Sequence, residues 1–138
     1  MSTINQHIYL ISDSTGETVS TIARSIYARF ESINFIENKW ALIRTEKQID
    51  NIVEIIKEKK GVVLYTMINL RLESYLTRRC TSIGVTSHNV LDNIIKKIEK
   101  FYEIQPATKQ EPGKQHSLSQ DYFNRIESLQ YAIANDDG

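Results

Sequence analysis

A chain of 138 residues with 41% hydrophobic and 25% charged side chains can bury one sizeable core and is too short for two typical domains. Lys plus Arg and Asp plus Glu each total 17, so no net field draws the chain to a nucleic acid backbone or an anionic membrane. The single cysteine, Cys80, excludes an internal disulfide and a thiolate metal cluster within one chain, and it reads as a half-buried helix residue.

Met1 to His7 lacks a basic segment, and the apolar run behind it extends only from Ile8 to Ile11. Neither a signal peptide nor a membrane span is expected, and the protein is placed in the cytoplasm. The first strand is predicted at His7 to Ser12, a short apolar run ending in a polar turn. A helix follows from Thr15 to Phe30, because Val19, Ile22, Ala23, Ile26 and Phe30 recur at helical spacing, and Ser14 with Glu17 fits a capping box at its start.

The second unit has a looser strand, Lys39 to Arg44, and a helix whose Ile49, Ile52, Val53 and Ile56 form one apolar stripe ending near Gly61. Thr45 and Gln48 fit a second capping box. Val62 to Met67 is the strongest strand signal of the chain, and its continuous apolar character suits a central strand covered on both faces. A third helix, outlined by Leu72, Tyr75, Leu76 and Ile83, stops around Gly84, and Val85 to His88 is read as a short fourth strand. Leu91, Ile94, Ile95, Ile98 and Phe101 mark the next helix, with Lys96, Lys97 and Lys100 as its solvated face.

From Gln105 to Ser119 both prolines, Gly113 and several polar residues break the pattern and predict a long surface loop. A last helix is expected from about Gln120 to Asn135, unusually apolar for a terminal segment. The predicted class is α/β, with an open, mainly parallel sheet of about four strands, flanking helices and a C-terminal helix. It divides into a βα-repeat region at 1–104, a loop at 105–118 and a helix at 119–138.

Ser12, Asp13, Ser14, Thr15 and Gly16 lie where the first strand passes into the first helix, so hydroxyls and backbone N–H groups can converge there on a phosphate or a phosphorylated side chain. The competing reading is that Ser14 merely caps the helix and Gly16 relaxes the turn. Asp136 and Asp137 set two carboxylates against the macrodipole of the last helix, which fits either a magnesium ion or cationic partner, or a frayed and solvated end. His116, with Lys114 nearby, either touches a phosphate when the loop closes or is simply solvated. His7 and His88 have no partner spacing that suggests a metal site or a nucleophile pair. No Gly-x-x-x-x-Gly-Lys-Ser/Thr sequence occurs, and the one Gly-Lys pair, Gly113-Lys114, has Thr108 where the first glycine belongs.

The run Tyr9-Leu10-Ile11-Ser12-Asp13-Ser14-Thr15-Gly16-Glu17-Thr18 resembles the N-terminal signature of the bifunctional regulatory proteins of pyruvate, phosphate dikinase and phosphoenolpyruvate synthase. Tyr122-Phe123-x-Arg125-Ile126 through Asp136-Asp137-Gly138 resembles their middle signature, and Pro112-Gly113-Lys114-Gln115-His116 fits between the two. The resemblance implies an ADP-dependent serine/threonine kinase that inactivates its target by phosphorylating a threonine. It also implies a phosphate-dependent phosphorylase that restores the target with release of pyrophosphate.

In that family a phosphate-binding glycine-rich loop follows the Asp-Asp-Gly segment, whereas this sequence stops at Gly138. The expectation is therefore an N-terminal half, arising from a truncated reading frame, a split gene or deliberate shortening, with little catalysis of its own. A complementing C-terminal half or a homo-oligomer is the further partner expected. Two other readings remain: a non-catalytic module that docks the dikinase or another half-protein through the apolar last helix, and a decayed product whose last helix merely exposes apolar surface.

Overall fold

The two most apolar runs of the sequence become adjacent central strands. The computed structural model describes residues 3–105, in the order β1 (Ile4–Ser12), α1 (Glu17–Tyr27), β2 (Ile33–Trp40), α2 (Glu46–Glu58), β3 (Val62–Thr66), α3 (Leu70–Ser82), β4 (Ser87–Asn89) and α4 (Asp92–Tyr102). The strands form an open parallel sheet in the order β2-β1-β3-β4. The α/β class and the parallel sheet expected from the alternating segments are thus present. The chain divides into two compact units, Met1–Asn93 and Ile94–Gly138, and the sheet with α1 to α3 belongs to the first.

Alternation along β1 feeds two cores. Ile8 and Leu10 pack with Val19 and Ala23 of α1 and Leu64 of β3. Tyr9 and Ile11 face the opposite side, where Ile49, Val53 and Ile56 of α2 and Leu72, Leu76 and Cys80 of α3 close the larger cluster. Each fully buried aliphatic side chain contributes about 1.5–3 kcal/mol. β1 therefore holds the helical layers of both faces. Cys80 is fully buried rather than half-buried, and burial pushes its thiol up to about 11.

Several boundaries differ from expectation, each for a local reason. α1 starts at Glu17 behind an N-cap Gly16 with φ 81°, and no side chain caps it, so the Ser14–Glu17 capping box does not form. The Ser14 hydroxyl sits instead 3.1 Å from that of Ser12. α1 also ends at Tyr27, because Arg29 and Phe30 turn back to the carbonyls of Ile26 and Tyr27. The Thr45–Gln48 capping box does form at the start of α2.

The second strand is Ile33–Trp40, paired with β1 from Ile4↔Ile33 to Ile11↔Trp40, and not Lys39 to Arg44. An edge strand needs only intermittent burial, so its weak apolar pattern hides it from a search for apolar runs. The apolar residues Leu42 and Ile43 form a turn over the sheet edge, where their N–H groups donate to Ser14 O at 2.8 Å and Ser12 O at 3.1 Å. Leu42 holds φ 57° in that turn, a conformation costing about 1–2 kcal/mol that these two bonds offset. β4 begins at Ser87 rather than Val85 because the Val85 N–H closes α3 on Cys80 O, with Gly84 at φ 77° donating to Thr81 O.

Gly61 is required for close approach rather than for turning. A Cβ there would lie 2.1 Å from the backbone oxygen of His7 and 3.3 Å from the Tyr9 ring, whose hydroxyl donates to Lys59 O just upstream. Gly61→Ala is expected to force β1 and β3 apart and lower stability by about 1–3 kcal/mol, read from the urea unfolding midpoint. An unchanged midpoint would show that the sheet accommodates the methyl group.

Candidate functional site at the carboxyl edge of the sheet

In an open parallel sheet the crevice lies where neighbouring strands run to helices on opposite faces, beyond their carboxyl ends. Here that point falls between β1 and β3, since β1 leads into α1 on one face and β3 into α3 on the other. Ser12 and Thr66 are the register-paired last residues of these strands. The Thr66 hydroxyl donates to Ser12 Oγ at 3.1 Å, and the Ser14 N–H donates to the same oxygen at 3.0 Å. Ser12 is fully buried, Ser14 half-buried and Thr15 exposed, so the hydroxyls step outward from the core to the surface.

Asp13 points the other way and ties the loops together. Its Oδ2 accepts the N–H groups of Ile68 at 2.8 Å and Asn69 at 3.0 Å, in the turn from β3 to α3. The Arg44 guanidinium donates to the Asp13 carbonyl and to Ile43 O. Burial pushes the Asp13 carboxyl above its ordinary range, against the opposing pull of the Asn69 and Ile68 N–H groups and the Arg44 charge. Asn69 in turn caps α3, accepting from Arg71 N at 3.0 Å and Leu72 N at 3.1 Å.

Lys39, at the end of β2, lies across Gly16: a Cβ at Gly16 would meet Lys39 Cε at 2.7 Å and Nζ at 3.4 Å. The left-handed Gly16 thus leaves space for the Lys39 side chain beside the start of α1, which no side chain caps.

The predicted residues Ser12, Asp13, Ser14, Thr15 and Gly16 therefore gather at this edge, joined by Lys39, Arg44, Thr66 and Asn69, which sequence reasoning missed. Lys39 and Arg44 were hidden by the misplaced second strand; a polar residue at the end of the strongest apolar run was the available signal for Thr66. His116, Asp136 and Asp137, and the loop and last helix that carry them, lie outside the described residues. Among the described residues no three His, Cys, Asp or Glu side chains gather as a metal site, and no helix is long and apolar enough to cross a membrane. A cavity of about 390 Å³ at the opposite edge of the sheet has one lysine, Lys60, and no carboxylate or arginine in its lining.

The kinase/pyrophosphorylase family model matches residues 8–138. The chain belongs to this family. It is 39% identical over 132 residues to a protein of Agrobacterium fabrum named "Putative pyruvate, phosphate dikinase regulatory protein", a match covering 96% of this chain and 48% of that relative. Proteins of the same name from Caulobacter vibrioides and Rhizorhabdus wittichii are 41% and 36% identical, with 41% and 48% of their lengths covered. The chain thus spans about half the length of these relatives. The match takes in the Ser12–Gly16 turn.

Replacing Asp13 separates its two properties. Asp13→Ala strands the Ile68 and Asn69 N–H groups and is expected to cost about 1–3 kcal/mol at pH 7, whereas Asp13→Asn keeps an acceptor and stays near wild type. Because the folded-state pKa is raised, the wild-type carboxyl favours folding most below its unfolded pKa, and that contribution is lost as pH rises through the folded pKa. Asp13→Asn is expected to lack this fall in urea titrations run upward from pH 4. Equal stability of the Ala variant at pH 7 would show that the latch is dispensable.

Proposed function

We propose that this chain provides the phosphate-facing edge of a bifunctional regulator of pyruvate, phosphate dikinase or phosphoenolpyruvate synthase. In the kinase direction the hydroxyl oxygen of a target threonine forms a bond to the β-phosphorus of ADP, the bond to the bridging oxygen breaks, and AMP leaves while the hydroxyl proton passes to a base. In the reverse direction inorganic phosphate attacks the phosphothreonine and pyrophosphate departs. The observation that carries the reading is that the turn from β1 to α1 sets the Ser14 hydroxyl against Ser12, leaves α1 without a side-chain cap and has the Lys39 side chain against Gly16.

Phosphoryl transfer asks the protein mainly for positioning and for charge stabilisation of the equatorial oxygens. Lys39 supplies a compact cation from the end of β2, Ser14 a hydroxyl donor, and Asp13 with Arg44 fixes the turn that bears Ser14. The names of the relatives support the dikinase as target. Magnesium, if it takes part, would neutralise phosphate charge. Two backbone N–H groups take Oδ2 of Asp13, and Asp136 and Asp137 are the carboxylates proposed to ligate magnesium. A cytoplasmic location is part of the same proposal, as is a complementing half that provides the glycine-rich loop.

The test follows label from [β-32P]ADP to a dikinase already phosphorylated on its catalytic residue, with magnesium and this chain, with and without the loop-bearing region of a relative. Transfer is expected only with that region present, and Lys39→Ala is expected to slow it about 10–100-fold. Transfer by this chain alone would overturn the requirement for the loop. No transfer in either arm would overturn the functional reading.

A further inference from the structure

The hydroxyls at the carboxyl edge have only one consistent hydrogen-bond direction. Ser12 Oγ receives two donors, the Thr66 hydroxyl at 3.1 Å and the Ser14 backbone N–H at 3.0 Å, which occupy both of its lone pairs. Its contact with Ser14 Oγ at 3.1 Å must therefore be a donation from Ser12 to Ser14. Ser14 Oγ is thus an acceptor towards the protein, and its own proton is left to point away from the cluster. No described residue takes that proton.

We infer that Thr66, Ser12 and Ser14 form a one-way donor relay whose last hydroxyl binds an oxygen that can accept but need not donate, as an ionised phosphate or phosphoryl oxygen does. This rests on the functional reading above and assigns roles within that site. Ser14 is the ligand-binding donor; Ser12 and Thr66 are positioning residues that act through it. The relay also bears on chemistry, because Ser14 has no neighbouring base among the described residues to remove its proton and so serves as a donor rather than as a nucleophile.

Burial supports the assignment independently of the turn itself. Ser12 is fully buried at the end of a central strand, so its proton has no water to choose instead, and successive donation polarises each hydroxyl further along the chain. Lys39 is exposed and has its ammonium near Gly16, two residues beyond Ser14, a cation for the ligand's negative charge. Without the Thr66 donor, Ser12 has a lone pair free, and the Ser14 proton can turn inward to it. Thr66 therefore determines whether Ser14 faces the ligand as a donor, although Thr66 itself does not touch it.

The experiment titrates the 15N-labelled chain with inorganic phosphate and follows the amide signals of Ser14, Thr15 and Gly16. Ser14→Ala is expected to weaken phosphate binding about tenfold, the loss of one hydrogen bond to a charged group. Thr66→Val is expected to weaken it several-fold, with Thr66→Ser restoring it. In the Ser14→Ala background Thr66→Val is expected to cause no further loss, because its effect passes through Ser14. Equal losses from Thr66→Val in both backgrounds, or a Ser14→Ala variant that binds like wild type, would overturn the relay while leaving the phosphate site standing. Amide signals of the wild-type turn that ignore phosphate would overturn the site and the relay together.

Discussion

β1 is covered on both faces, and everything else in the fold is arranged around that requirement. Even-numbered residues of the strand face α1 and odd-numbered ones face α2 and α3, so the strand cannot slip by one residue without exchanging its two cores. Its neighbours are fixed in turn: β3 must approach closely enough at Gly61 that no Cβ fits, and β2 must pair along its full length. The strand ends where apolar burial gives way to Ser12 and Asp13, both buried and both hydrogen-bonded. The polar edge is thus held as firmly as the core beneath it.

Burying an aspartate beside hydroxyls carries a cost that the surrounding groups offset. Two backbone N–H groups and a guanidinium satisfy Asp13, and in doing so they bind the loops after β1, β2 and β3 into one frame. The left-handed Gly16 and Leu42 lie within that frame. Strain of this kind persists only where neighbouring contacts over-determine the backbone. Here the contacts are the Leu42 and Ile43 N–H bonds to Ser14 and Ser12, which place Lys39 and Arg44 around the same turn. Lys39 stands against Gly16 and the Arg44 guanidinium on the Asp13 carbonyl, a preorganisation of the kind the proposed phosphate site calls for.

Membership of the kinase/pyrophosphorylase family gives that edge a chemical context, since the match extends through the turn and the strand before it. The fold alone would not have done so, because open α/β sheets host many chemistries. The specific content comes from the site: the paired hydroxyls of Ser12 and Ser14, the Lys39 ammonium near Gly16 and a helix start without a side-chain cap.

The sequence by itself determined the α/β class, the central strands, the apolar stripes of α1 to α3, the Thr45–Gln48 cap and the position of the Ser12–Gly16 turn. Those features rest on local periodicity and on turn chemistry between neighbours in the chain. Only the tertiary structure decided that β2 is Ile33–Trp40, that Ser14 bonds to Ser12 instead of capping α1, and that Lys39, Arg44 and Thr66 join the site. Thr66 meets Ser12 across 54 residues and Arg44 meets Asp13 across 31. Such contacts are set by strand order and register, to which no local pattern of side chains refers.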